Sequence, residues 1–68
     1  MFSNLQQVRE YVASNQVIQF TRYVGQTQWT LSIDTARKKR FVQAALANQI
    51  LADPIAHGIP VVNGTWPS

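Results

Sequence analysis

The sequence predicts a small α+β domain in the order helix, β-hairpin, helix (αββα), followed by an extended apolar C-terminal segment. Residues 17–33 alternate apolar and polar side chains around a loop that contains Gly25, which is typical of a hairpin. On either side of this stretch, apolar residues recur at intervals of three and four, which indicates helices. We expect residues 1–53 to form the helix–hairpin–helix core and residues 54–68 to pack on this core or on a partner.

The first helix is predicted to begin at a capping box formed by Ser3 and Gln6, and to end near Asn15. Its apolar stripe consists of Leu5, Val8 and Val12. The stripe is short, so we expect this helix to depend on packing against the hairpin for its stability.

The hairpin is expected to bury one face and to leave the other exposed. The alternation places five side chains on the buried face: Ile18, Phe20, Trp29, Leu31 and Ile33. Tyr23 falls on the opposite face, where an exposed aromatic ring is a candidate for stacking or partner contact. An isolated hairpin is barely stable, so either both helices pack on it or two chains join their hairpins, which makes a homodimer plausible.

A second helix is predicted from a cap at Asp34 or Thr35 to about Ala52, ending at Asp53 because Pro54 follows. Val42, Leu46 and Ile50 would form its core-facing stripe. Other apolar residues lie on its remaining faces, which indicates contact with the C-terminal segment or with a second chain.

The C-terminal segment carries three prolines and two glycines, but also enough apolar residues to argue against disorder. We expect it to lie extended across the second helix, with a tight turn at Asn63-Gly64. Trp66 is interpreted as an anchor for this segment, and a partner contact is the alternative.

Composition argues against catalysis and against a bound cofactor or metal. The chain has no cysteine and one histidine, and its three acidic residues fall at predicted helix boundaries or on a helix surface. Its three glycines are scattered, so no phosphate-binding loop is expected. The N-terminus does not follow the pattern of a secretory signal, and no apolar run is long enough to cross a membrane. We therefore expect a cytoplasmic, non-enzymatic protein without a membrane partner.

The basic residues are clustered, although charged residues make up only 13% of the chain. Four of the six cations are consecutive: Arg37, Lys38, Lys39 and Arg40. If residues 37–40 are helical, these four cations surround the N-terminus of the second helix, where the helix dipole already attracts anions. We call this group of four cations the collar. Arg22 on a neighbouring strand would extend the patch. The alternative is a solvated helix end, with Lys39 reaching outward from the side of the core.

These features predict a protein-interaction module, of an inhibitor or assembly type, that docks on an acidic protein surface. The collar would steer association, and Phe41, Tyr23 and Trp66 are the candidate apolar contacts. The alternative is a nucleic-acid-associated protein whose collar contacts phosphates. In length and predicted element order, the chain is similar to the small head–tail joining proteins of lambda-like phages, and this resemblance covers element order alone.

Overall fold

A computed structural model describes residues 2–25 and 27–65 of the chain. Two helices and one 3-10 turn accompany a mixed sheet of four strands. In chain order the elements are α1 (Leu5–Ser14), β1 (Val17–Val24), β2 (Trp29–Thr35), β3 (Lys39–Gln43), α2 (Ala44–Ala52), the 3-10 turn (Ala56–Gly58) and β4 (Val61–Thr65). The sheet order is β3-β2-β1-β4, in which β4 runs parallel to β1 and the other neighbours are antiparallel.

The predicted αββα arrangement is therefore wrong. The sheet has four strands where two were expected. One additional strand, β3, lies in the segment assigned to the second helix, and the other, β4, lies in the C-terminal segment. The resemblance to head–tail joining proteins depended on the αββα order and is lost with it.

The central hairpin is present, and it pairs Phe20 with Ile33. Phe20, Leu31 and Ile33 are completely buried beneath the helices, as their alternation predicts. Ile18 is 49% exposed, because a bulge between residues 17 and 19 interrupts the alternation at the start of β1. Trp29 is half-buried at the opposite end of the hairpin.

The first helix begins one residue later than predicted, with Asn4 as its N-cap. The Asn4 side chain accepts a hydrogen bond from the Gln7 amide at 3.0 Å, and the Ser3 amide donates to Gln7 Oε1 at 2.7 Å. The first bond is the N-cap half of a capping box, displaced by one residue from the predicted Ser3 and Gln6 box. The Gln7 side chain accepts from the residue before the cap and not from the Asn4 amide, so the box is not reciprocal. The predicted end near Asn15 is confirmed, since the Asn15 amide donates to the Tyr11 carbonyl.

Residues 35–43 form a turn and a strand, so neither Asp34 nor Thr35 caps a helix. The Thr35 amide donates to the Lys38 carbonyl at 2.9 Å, and Thr35 Oγ1 accepts from the Lys38 amide at 3.2 Å. The chain then returns antiparallel to β2, which places Val42 opposite Leu31. Pairing with β2 satisfies the backbone of this segment while burying Val42, and α2 begins directly afterwards at Ala44.

Both helices lie on the sheet face that carries Phe20, Leu31 and Val42. From α2, Leu46, Ala47 and Ile50 are buried in the core. The predicted end of the helix before Pro54 is confirmed, because α2 ends at Ala52. Asp53 follows as the C-cap and forms a bidentate ion pair with Arg9 of α1. Arg9 Nη2 donates to Asp53 Oδ1 at 3.0 Å, and Arg9 Nε donates to Asp53 Oδ2 at 3.1 Å.

After the 3-10 turn the chain forms β4 along the free edge of β1. The Phe20 amide donates to the Pro60 carbonyl at 2.9 Å at the start of this pairing. Asn63 and Gly64 lie within β4, so the predicted tight turn there is wrong. Trp66, the predicted anchor, lies outside the described residues.

Candidate functional site

The basic residues lie on the hairpin between β2 and β3, and the predicted collar at a helix N-terminus is wrong. Arg37 and Lys38 are exposed in the turn, while Lys39 and Arg40 are the first two residues of β3. Successive strand residues point to opposite faces of the sheet, so the last two cations diverge. The cluster is therefore divided: Arg37, Lys38 and Lys39 are exposed, whereas Arg40 packs on the domain.

Arg40 is held against α1 and stabilises the fold. Its guanidinium carbon lies 4.7 Å from the centre of the Phe2 ring and 5.5 Å from that of Tyr11. The two rings themselves meet edge to face at 5.2 Å. A cation over aromatic faces gains electrostatic stabilisation, so Arg40 fixes the segment before α1 to β3.

Lys39 lies on the opposite sheet face, beside Asp34. Its Nζ is 4.0 Å from Asp34 Oδ2, and its side chain remains 53% exposed. The expectation that Lys39 follows the side of Val42 is wrong, because in a strand neighbours separated by three positions face opposite ways. Lys39 thus contributes positive charge at the surface while contacting a buried acid.

Asp34 is the centre of a buried polar network that the sequence analysis did not identify. It is 4% exposed, and it accepts hydrogen bonds from Ser32 Oγ at 2.7 Å, from Gln19 Nε2 at 3.2 Å and from the Thr21 hydroxyl. The Tyr23 hydroxyl extends the network to Ser32 at 3.1 Å. The one available signal was the alternation itself, which places these polar residues on one face of the hairpin. Ser32 has no exposed surface, so it is not accessible as a nucleophile.

We use the name basic turn for Arg37, Lys38 and Lys39. Arg37 and Lys38 line a shallow cleft of about 380 Å³ with Asn15 and Gln16, at the junction of α1 and β1. Among residues 2–25 and 27–65, neither Arg37 nor Lys38 forms an ion pair. The basic turn is therefore a concentration of positive charge that the described part of the chain offsets only through Asp34.

The structure does not bring Arg22 to the basic turn. Arg22 pairs with Leu31, whereas Lys39 pairs with Asp34, three residues further along β2 and roughly 10 Å away. Tyr23, considered an exposed ring, is 6% exposed and lies 5.9 Å from Phe41 between ring centres. Phe41 is 36% exposed on the same sheet face.

The described residues provide no set of three His, Asp or Glu side chains that could hold a metal ion. Within this same part of the chain, neither helix has the length and apolar character needed to cross a membrane. Comparison with known proteins finds no matching family, no matching curated sequence and no matching solved structure. The fold and the basic turn together define a small α+β domain with a localised cationic surface.

Proposed function

We propose that this protein is a small non-enzymatic interaction module that docks on an acidic protein surface through its basic turn. The observation that carries the proposal is the exposure of three adjacent cations, of which Arg37 and Lys38 have no counter-ion among the described residues. Like charges held together without compensation repel one another, and an acidic partner would relieve that repulsion.

The backbone of the basic turn is hydrogen-bonded to the side chain of Thr35. Thr35 Oγ1 accepts hydrogen bonds from the amides of Arg37 and Lys38, at 3.4 Å and 3.2 Å. Arg40 anchors the other end of the turn against the rings of α1 and the segment before it. A turn that is ordered in advance loses less conformational entropy on binding, which favours recognition by these few cations.

The surroundings of the basic turn favour a protein partner over nucleic acid. Val17 pairs with Thr35, so the exposed Ile18 side chain lies at the same end of the sheet as the turn. An exposed apolar side chain beside an arginine fits a protein interface, in which apolar residues and arginine are enriched. A nucleic-acid interface is expected to carry a longer basic stripe than these three residues provide. Phosphate contact remains the alternative, and a homodimer remains a prediction.

The proposal is tested with a fluorescein-labelled oligoglutamate and a labelled oligothymidylate of about 20 units each, by fluorescence anisotropy at about 50 and 200 mM salt. The test variant is Arg37→Gln with Lys38→Gln. Its control, Gln6→Glu with Gln43→Glu, lowers the net charge equally and keeps every cation. We expect the wild type to bind oligoglutamate more weakly at the higher salt. The test variant should lose about fivefold in affinity, and the control less than twofold.

An equal loss in the control would show that net charge alone governs binding, and it would remove the basic turn as a site. Tighter binding of oligothymidylate, with a logarithmic salt slope of about −0.7 per phosphate contact, would replace the acidic protein partner with nucleic acid.

A further inference from the structure

A second concave surface lies at the other end of the sheet from the basic turn. It is a groove of about 430 Å³ between α2 and the ends of β1, β2 and β4. The α2 wall consists of Ala44, Ala47, Asn48 and Leu51, which share one helix face because they are spaced at three and four residues.

Among the described residues on the sheet side of the groove, Arg22 is the one cation. Strand pairing places Leu31 of β2 on one side of Arg22 and Asn63 of β4 on the other. Arg22 is exposed and forms no ion pair within the described residues, and those that line the groove include no Asp or Glu. Within the described residues, the groove therefore has a guanidinium without a counter-ion in a concave setting, where the field of a charge is focused.

The other residues that line the groove indicate which chemical groups a bound anion would carry. The carboxamides of Asn48 and Asn63 add hydrogen-bond donors from the helix and from β4. Ala44 and Leu51 are half-buried on the helix wall, so part of the lining is apolar. The groove has the volume of a small-ligand site, and its lining places polar groups beside a few apolar side chains.

We propose that this groove binds an organic carboxylate with a short apolar tail. The Arg22 fork pairs with the two carboxylate oxygens, the Asn48 and Asn63 amides donate from either side, and the tail packs on Leu51 and Ala44. One guanidinium balances the single charge of a carboxylate, whereas a phosphate dianion would keep an excess negative charge. The carboxylate belongs either to a small acid or to the C-terminus of a peptide. This site is independent of the basic turn.

The test is a titration followed by ¹⁵N–¹H NMR with N-acetyl-leucine, and with N-acetyl-leucinamide as the uncharged counterpart. We expect saturable shifts at Arg22, Asn48 and Asn63 with the acid, and at least tenfold weaker binding of the amide. Arg22→Gln should weaken the acid about tenfold, whereas Arg37→Gln, which removes the same charge from the basic turn, should change affinity less than twofold.

A second variant, Ala44→Leu, fills the groove and keeps Arg22. It should abolish binding of N-acetyl-leucine while its NMR spectrum remains that of a folded domain. Non-saturable shifts, equal binding of acid and amide, or equal effects of Arg22→Gln and Arg37→Gln would overturn the proposal. A pentapeptide with a free C-terminal leucine distinguishes the two sources of the carboxylate. If the pentapeptide binds more tightly than N-acetyl-leucine, the site is assigned to a peptide C-terminus. If the two bind equally, the site is assigned to a small acid.

Discussion

Asp34 shows how one carboxylate organises the sheet face opposite the helices. Replacing it with alanine would leave the buried Thr21 hydroxyl without its acceptor and Lys39 without its counter-ion, while the Ser32 hydroxyl would keep its bond to Tyr23. Removing one partner from a buried hydrogen-bonded network costs more than the bonds themselves contribute. We expect Asp34→Ala to lower the free energy of unfolding by about 2–4 kcal/mol, measured by urea denaturation.

Glu10→Ala is the matched control for this experiment, because Glu10 is an exposed acid on α1. Its effect should stay within about 0.5 kcal/mol. Similar losses for the two variants would mean that the network around Asp34 contributes no more than a surface charge.

Asp53 makes stability depend on pH. The hydrogen bonds from the Arg9 guanidinium lower the pKa of Asp53 from its usual value of 3.8, and the Ile55 amide and the charges of Arg9 and His57 add to this effect against the cost of burial. A carboxyl whose pKa is lower in the folded protein stabilises the fold above its unfolded-state pKa, and this stabilisation is lost as the pH falls through the folded-state value.

In urea denaturation between about pH 6 and pH 2.5, Arg9→Gln should therefore be less stable than the wild type near neutral pH. The two stabilities should converge at the acid end, once Asp53 is protonated in both proteins. A constant difference across this range would show that Arg9 acts through packing and not through the charge of Asp53.

Among the elements, β4 requires a glycine at position 64, where the strand lies close to Thr21 and Tyr23 of the polar network. A Cβ at Gly64 would lie 2.7 Å from Thr21 Cγ2 and 3.5 Å from Tyr23 Cε1. Thr21 is buried and bound to Asp34, so it cannot easily move aside. Gly64→Ala should lower the free energy of unfolding by about 1–3 kcal/mol and speed hydrogen exchange of the β4 amides, measured by urea denaturation and NMR.

Gly58→Ala is the control, because nothing lies within 4 Å of a Cβ built at Gly58. We expect it to be neutral or slightly stabilising, since alanine restricts the unfolded chain. A loss at Gly58 as large as that at Gly64 would attribute the effect to backbone freedom instead of close packing.

The same elements show what the sequence could and could not predict. The β1–β2 hairpin was predictable because its period-two alternation is local. The sequence of residues 39–43 predicts a helix because Val42 continues the spacing of Leu46 and Ile50, and all three are indeed buried. The turn before them has no glycine or proline and is held by the Thr35 side chain, so the usual signal of a chain reversal was missing.

The groove and the Arg9–Asp53 pair were not predictable for a different reason. Each joins residues that are distant in the sequence, and local periodicity contains no information about which distant segments meet. The parallel pairing of β4 with β1 is of this kind, and it alone brings Asn63 beside Arg22. The basic residues form a recognisable cluster because four of them are consecutive in the sequence, but their division between the two sheet faces requires the strand assignment.

At the scale of the whole molecule, the C-terminal part of the chain completes the sheet. Without β4, the β1 strand would expose the backbone groups that now pair with it, including the Phe20 amide that donates to the Pro60 carbonyl. A domain of this size buries only about 60% of its unfolded surface, so it has little stability in reserve. The pairing of β1 with β4 is therefore expected to decide whether the domain folds.

The comparison that tests this expectation is between a chain ending at Ile59 and one ending at Thr65, which retains β4. We expect the shorter chain to lose its cooperative thermal transition by circular dichroism and its dispersed NMR spectrum, because β1 and the core residue Phe20 lose the strand beside them. The longer chain should retain both properties. A shorter chain with the same transition as the longer one would show that the three strands β1–β3 and the two helices form a self-sufficient core, with β4 added to an already stable edge.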